Sequence, residues 1–193
     1  SALSAVRKFR DPQNFGAFPL KGKFLNVSEM TNSGVIQNDE VVQLMASLGI
    51  KLGEEPGDLR YGKVYIYTDA DPDGDSIAGL LMNFFNKYWP ELFEQGRIFK
   101  VMTPLVVAKK GKEVKPFYSN EEYSAWEKKT GAKGWDVEYK KGLAALEDVE
   151  YRDIIHNPVL VKMQNDKRYK DSLNDWFGTD SAMRKEKLLK LSV

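Results

Sequence analysis

The stretch Asp69-Ala70-Asp71-Pro72-Asp73-Gly74-Asp75 puts a carboxylate at every second position, directly behind the chain's clearest strand signal, Val64-Tyr65-Ile66-Tyr67. From Ser76 to Trp89 the pattern turns helical, with Ile77, Leu80, Leu81, Phe84, Phe85 and Tyr88 on one broad apolar face. Strand, acidic loop and helix in that order make half of a βαβ unit. The expected fold class is therefore α/β, with a parallel sheet flanked by helices. In open sheets of this kind ligands bind at the carboxyl ends of the strands, which is where the loop falls.

Carboxylates this close repel one another, and a cation among them offsets the repulsion. Composition narrows the choice of cation. The chain has no cysteine and one histidine, which excludes thiolate sites and leaves little for an imidazole site. Carboxylate ligation points to Mg²⁺, Ca²⁺ or Mn²⁺. Two other readings compete. One is an acidic turn that caps the following helix through its dipole. The other is an EF-hand calcium loop, which also opens Asp-x-Asp-x-Asp-Gly. The calcium loop fails twice: its twelfth position, a glutamate in that motif, is Leu80, and a strand precedes it where a helix is required. Net charge is +1, so any contact with DNA needs a local basic patch. No apolar run approaches the roughly 18 residues that cross a bilayer, so no membrane partner is expected.

Further elements follow from spacing. Ala2 to Lys8 carries a weak helical signal, Phe24-Leu25-Asn26-Val27 reads as a short buried strand, and Asn38 to Leu48 has helical spacing. Phe99 to Ala108 reads as a strand that Pro104 bends or confines to an edge. Beyond Lys109 lysines, aromatics and short elements replace the long apolar runs. Short strands are expected at Phe117-Tyr118 and Val137-Glu138-Tyr139, and helices at Glu121 to Lys129, Leu146 to His156, Lys167 to Phe177 and Ser181 to Leu191, the last capped by Asp180. The chain divides into a first domain, 1–108, and a smaller α+β extension, 109–193.

Several segments in order then carry a resemblance. Thr68-Asp69-Ala70-Asp71-Pro72-Asp73-Gly74 with its apolar helix, Pro19-Leu20-Lys21-Gly22-Lys23-Phe24-Leu25-Asn26-Val27, Thr103-Pro104-Leu105, Phe117-Tyr118-Ser119 and Lys141-Gly142-Leu143 resemble the TOPRIM region of type II DNA topoisomerases. Arg60-Tyr61-Gly62-Lys63 and Asn86-Lys87-Tyr88-Trp89-Pro90 look more like the eukaryotic and T4-like bacteriophage branch than like bacterial gyrase. The resemblance implies a Rossmann-like TOPRIM domain with a C-terminal extension. It implies that Asp69 and Asp71 are catalytic metal ligands, Asp69 shared between two Mg²⁺ positions, with Asp73 an outer or water-mediated partner. It implies DNA contacts by Lys21, Lys23, Asn26, Lys141 and Arg10. In the family a glutamate of a Glu-Gly-Asp-Ser-Ala motif completes the metal site. Ser1-Ala2 matches that motif's end, which would place the glutamate three residues before Ser1.

The sequence also departs from the family pattern. Asp75-Ser76 stands where Ser-His is usual, Lys140 where a tyrosine is usual, and Ala144 where a glycine is usual. His156 is expected to be structural or exposed. The nucleophilic tyrosine of this family lies on another domain, so the expected partners are duplex DNA, a tyrosine-bearing breakage-reunion subunit and an ATPase (ATP-binding) domain or subunit in a symmetric assembly. Phage enzymes can split the core among subunits, and such an origin implies the cytoplasm of the host cell. The rivals are other TOPRIM enzymes, nucleases or primases, and a non-catalytic scaffold that binds DNA or a partner.

Overall fold

The computed structural model describes residues 2–191. Its elements run α1 (Ala2–Phe9), α2 (Asn32–Val35), α3 (Asp39–Leu48), β1 (Val64–Tyr67), α4 (Pro72–Tyr88), α5 (Glu91–Glu94), β2 (Ile98–Val101), β3 (Val106–Lys110), β4 (Glu113–Phe117), α6 (Asn120–Thr130), β5 (Asp136–Tyr139), α7 (Asp148–His156), β6 (Leu160–Lys162), α8 (Tyr169–Phe177) and α9 (Ser181–Leu191). A 3-10 turn, Leu143–Ala145, lies between β5 and α7. Among the described residues no helix is long and apolar enough to cross a membrane. Side-chain caps set several helix starts: Asn38 accepts from Val41 N–H at 3.1 Å, Ser119 from Glu122 N–H at 3.1 Å, and Asp180 from Met183 N–H at 2.9 Å.

Two three-stranded sheets form, ordered β1-β2-β6 and β4-β3-β5. Val64 N–H donates to the Arg97 carbonyl just before β2 (2.8 Å). The Thr103 hydroxyl beyond β2 donates to the Thr68 carbonyl beyond β1 (3.2 Å). Matching ends therefore pair with matching ends, and β1 and β2 run parallel, with α4 in the crossover. β6 runs the other way, since Met163 N–H reaches Ile98 and Met102 N–H reaches Val159, each at 2.9 Å. The α/β fold thus has its parallel pair beside the acidic loop and an antiparallel strand at one edge.

The chain forms two compact units, each discontinuous in sequence. The first comprises Ser1–Ala17, Tyr65–Ser76 and Lys100–Val161. In it β3 pairs antiparallel with β4 (Val106 opposite Phe117) and with β5 (Val106 opposite Tyr139). α6 adds Tyr123 and Trp126 to the side chains of Val106, Ala108 and Phe117. A second apolar cluster gathers Leu143, Leu146, Tyr151 and Ile154, with Ala2, Ala5, Phe9 and Tyr67 packed against it. His156, at the end of α7, bonds the Phe9 carbonyl through Nε2 at 2.8 Å, a structural tie to α1.

The other unit comprises Phe18–Val64, Ile77–Phe99 and Lys162–Val193. Its core is the apolar face of α4: Leu80, Leu81, Phe84 and Phe85 are buried, and Ile77 and Tyr88 half-buried. The Phe84 ring lies 5.2 Å from Phe24 and 5.4 Å from Trp89, both edge-on.

Two sequence expectations change. Phe24 to Val27 forms no strand. Phe24 and Val27 are buried plugs, but the backbone finds side chains instead of a neighbouring strand. Asn26 Oδ1 accepts from Ser28 N–H (3.2 Å), and the Lys87 ammonium takes the carbonyls of Val27, Ser28 and Met30 (2.5, 3.1 and 2.9 Å). Such local bonds compete with a sheet ladder. Phe99 to Ala108 is likewise two strands: Pro104 separates β2 from β3, which join different sheets. Pro116, which cannot donate, falls in the edge strand β4.

Candidate metal-binding site

The loop between β1 and α4 is shaped by its own chemistry. Asp71 stands just before α4, and its Oδ1 accepts from Gly74 N–H at 2.7 Å, a helix N-cap. Pro72 follows in the first turn, where its missing N–H costs nothing. Gly74 is required by close approach: a Cβ there would lie 2.0 Å from the Asp69 carbonyl oxygen. The helix dipole favours the acidic first turn of Asp73 and Asp75. Asp75 forms an ion pair with Lys100, so the extra aspartate of this chain is matched by a lysine beside it.

Asp69 is turned toward the segment after β5. Its Oδ1 accepts from Leu143 N–H at 2.7 Å. The Leu143 carbonyl in turn accepts from the Tyr151 hydroxyl of α7 at 2.5 Å. Gly142 makes room for this: a Cβ there would lie 2.6 Å from Asp69 Cγ and Oδ1. Burial, with the Asp69 charge added, raises the Tyr151 phenol above its ordinary value, which keeps it a donor. Burial also pushes the Tyr67 phenol up to about 12, with Tyr65 contributing. Both phenols therefore stay protonated at neutral pH.

Behind this segment lies an ionic network. Lys140 and Glu150 are buried, and Lys140 Nζ is 3.1 Å from Glu150 Oε1. Lys140 also pairs with Glu138, while Lys109 reaches Glu147, Glu150 and Glu138 at 3.0, 3.3 and 3.6 Å. The remaining Glu150 oxygen accepts from Glu147 N–H at 2.8 Å at the start of α7. Burial acts to lower both lysines, but the surrounding carboxylates outweigh it and hold them above their ordinary value. The hydrogen bond from Lys140 holds Glu138 below the usual carboxylate range.

The expected DNA-contact residues are distributed between the two units. Lys141 and Arg10 belong to the unit that holds the acidic loop, and Lys21, Lys23 and Asn26 to the other. Lys21, Lys23 and Lys141 are exposed. Arg10 closes its own loop by donating to the Phe15 carbonyl. Asn26 is engaged within its unit, donating to the Phe177 carbonyl at 2.8 Å and accepting from Asn83 at 3.3 Å. Sequence reasoning did not find Tyr151, Gly142 as a spacer, or the buried Lys140–Glu150 pair. The only advance signal was the Glu147-x-x-Glu150 spacing ahead of an apolar helix face.

Among the described residues no three acidic or histidine side chains are gathered as a metal cage. Asp69 and Asp71 nonetheless have the hard oxygen chemistry that Mg²⁺, Mn²⁺ and Ca²⁺ require. Each carboxylate gives one oxygen to a backbone N–H and keeps further acceptor capacity. They fit a divalent cation as part of a donor set.

Carboxylates at the carboxyl end of a strand that pairs in parallel, followed by a capped helix, make this a candidate cation site of an α/β domain. The sequence matches the Toprim domain model over residues 1–102 and the C-terminal associated domain of TOPRIM over residues 101–192. The chain belongs to the Toprim domain family. It is 36% identical over 143 residues to the DNA topoisomerase 2 of Plasmodium falciparum, covering 72% of this chain and 10% of that protein. Human DNA topoisomerase 2-beta is 39% identical over 147 residues, 71% of this chain and 9% of that protein. The DNA topoisomerase 2 of Arabidopsis thaliana is 41% identical over 150 residues, 74% and 10%. The chain thus spans about a tenth of the length of these curated relatives. A crystal structure of the Plasmodium falciparum topoisomerase II DNA-binding, cleavage and re-ligation domain superposes with a TM-score of 0.82 at 30% identity, over 97% of this chain and 26% of that one.

Proposed function

We propose that this chain supplies the metal-binding part of a type II DNA topoisomerase, supporting Mg²⁺-assisted cleavage and religation of duplex DNA by a tyrosine on a partner subunit or another domain. The observation that carries this reading is Asp69: it stands two residues beyond β1, at the carboxyl end of the parallel pair, in a Toprim family member, and is fixed by the Leu143 N–H. Asp69 and Asp71 are the proposed catalytic ligands, with Asp73 beside them. A bound Mg²⁺ supplies Lewis-acid stabilisation of charge on the phosphate and the departing 3′ oxygen. The exposed Lys21, Lys23 and Lys141, with Arg10 and Asn26, are the proposed contacts to the DNA backbone. Residues 1–108 are taken as the metal-binding domain and 109–193 as its extension, supported by family models that meet at residues 101–102. The full assembly is proposed to be symmetric and ATP-dependent. A T4-like phage enzyme acting in the host cytoplasm is the proposed setting, resting on Arg60-Tyr61-Gly62-Lys63 and Asn86-Lys87-Tyr88-Trp89-Pro90.

The test is DNA cleavage by the full-length protein assembled with its tyrosine-bearing partner in Mg²⁺, comparing wild type with Asp69→Ala plus Asp71→Ala. Covalent protein–DNA breaks in the wild type that vanish in the variant are expected. Undiminished cleavage by the variant sinks the metal assignment. No cleavage by either protein turns the reading to a non-catalytic DNA scaffold.

A further inference from the structure

We propose that Gly142, Leu143 and Tyr151 are positioning residues that fix the Asp69 carboxylate for metal binding, with Tyr151 locking the backbone at Leu143, the residue whose N–H orients Asp69. This rests on the reading of Asp69 as a metal ligand. It also divides the labour of Lys141-Gly142-Leu143, in which the lysine alone was assigned a role from sequence.

An aspartate at the end of a strand has two side-chain torsions to fix before it can present an oxygen at a set place. Here one bond does most of that fixing. The Leu143 N–H meets Asp69 Oδ1 at 2.7 Å, short as expected of a bond to a charged acceptor. A donor can orient its acceptor only if it is itself held. The peptide that carries this N–H is held at its other end, where the Gly142 carbonyl accepts from Ala145 N–H at 3.0 Å; the next peptide is held by the Tyr151 hydroxyl on the Leu143 carbonyl at 2.5 Å, and the Leu143 side chain is buried among Leu146, Tyr151 and Ile154. Tyr151 is 5% exposed and belongs to α7, whose first turn is anchored by Glu150 in the ion network. A chain of contacts therefore runs from a capped helix, through one phenol and the backbone of one residue, to one carboxylate oxygen.

Gly142 supplies the steric half of the arrangement. A Cβ at this position would lie 2.6 Å from Asp69 Cγ and Oδ1 and 2.9 Å from Oδ2. Any side chain here drives the carboxylate from its place. Simple packing would need the Tyr151 ring and not its hydroxyl. Ligating carboxylates in metal sites are themselves held by hydrogen bonds, and removing such support typically costs about tenfold or more in metal affinity.

The test is Mn²⁺ titration of the full chain, followed by the loss of free-ion paramagnetic resonance signal, for wild type, Tyr151→Phe, Gly142→Ala and Asp69→Asn. Hydrogen exchange of the Leu143 amide and the melting temperature are measured alongside. Tyr151→Phe is expected to weaken Mn²⁺ binding about tenfold and to speed Leu143 exchange, with the rest of the fold retaining its protection. Gly142→Ala is expected to weaken binding further. Wild-type Mn²⁺ affinity in a folded Tyr151→Phe or Gly142→Ala, with binding lost in Asp69→Asn, overturns the positioning role and leaves the ligand reading standing. Wild-type affinity in Asp69→Asn overturns the ligand reading, and the positioning role with it.

Discussion

Two charged stretches of this molecule are held differently: in one the charged side chains themselves are fixed, in the other only the backbone beneath them. In the acidic loop and the segment behind it, polar groups are secured by other polar groups. Asp71 caps α4, Asp69 takes the Leu143 N–H, Asp75 pairs with Lys100, and Lys140 is buried against Glu138 and Glu150. In Pro19 to Val27 it is the backbone that is rooted, by the buried Phe24 and Val27, by Lys87 on the Val27 carbonyl and by Glu40 on the Lys21 N–H, while the side chains of Lys21 and Lys23 are exposed. A group that must hold an exact direction needs hydrogen-bonded support. A cation that meets a phosphate anywhere along a backbone needs only a fixed root, because such contacts position without reading sequence. The two modes of anchorage match the two roles proposed.

The comparison breaks most easily at Lys140. Lys140→Met keeps the aliphatic stem but leaves the buried Glu150 to Lys109 alone, and breaking a buried pair costs about 3 kcal/mol. Urea unfolding is expected to show that loss. The pH profile sharpens it. Glu138 is held below its ordinary 4.5 by the Lys140 hydrogen bond, so its contribution is present above that value and is lost as pH falls through the lower folded value. Lys140 is a balance in which burial lowers and Glu138 and Glu150 raise, the net being upward from 10.5. Its contribution is complete below that value and is lost as pH rises through the higher folded value. Wild type should therefore show a plateau of stability between these limits, and Lys140→Met should lose the alkaline limb due to this group. A variant as stable as wild type would mean that the network is ornamental to the fold.

A smaller effect separates the two readings of Asp71. Asparagine caps a helix about as well as aspartate, whereas alanine costs about 1 kcal/mol. If Asp71 only caps α4, Asp71→Asn should behave as wild type in both melting and Mn²⁺ titration. If it is also a ligand, Asp71→Asn should melt within about 0.5 kcal/mol of wild type yet bind Mn²⁺ more weakly. Asp71→Ala should lose both. The second pattern is expected.

Much of this was legible in the chain itself, for reasons that differ by residue. β1, the acidic loop and α4 could be read because each signal is local: a β-branched and aromatic run, Asp-Pro at a helix start, and apolar residues three and four apart. Phe24 to Val27 misled because an apolar run marks burial and not pairing, and Lys87, 60 positions beyond Val27, took the carbonyls that a neighbouring strand would have used. The support of Asp69 was hidden for the same reason. Leu143 lies 74 positions away, and nothing in the residues themselves announces that its peptide will be the donor. Lys140 and Lys141 are identical in sequence, and only β5 pairing and the arrival of Glu150 make one buried and the other exposed.

The least visible change is expected at the basic stretch, and it is the sharpest check on the contrast. The side chains of Lys21 and Lys23 are exposed, and the anchorage lies in the backbone and in the buried Phe24 and Val27. Replacing either lysine by alanine should leave stability within about 0.5 kcal/mol. If they meet phosphates, each loss should instead lower the slope of log affinity against log salt concentration by about one, for any duplex sequence. Fluorescence anisotropy of a labelled duplex, titrated at several salt concentrations with the assembled protein, measures this slope. An unchanged slope would mean that the lysines are ordinary solvated charge. A loss of stability would mean that they help to hold the fold, and the contrast between fixed and merely rooted side chains would then fail at its simpler end.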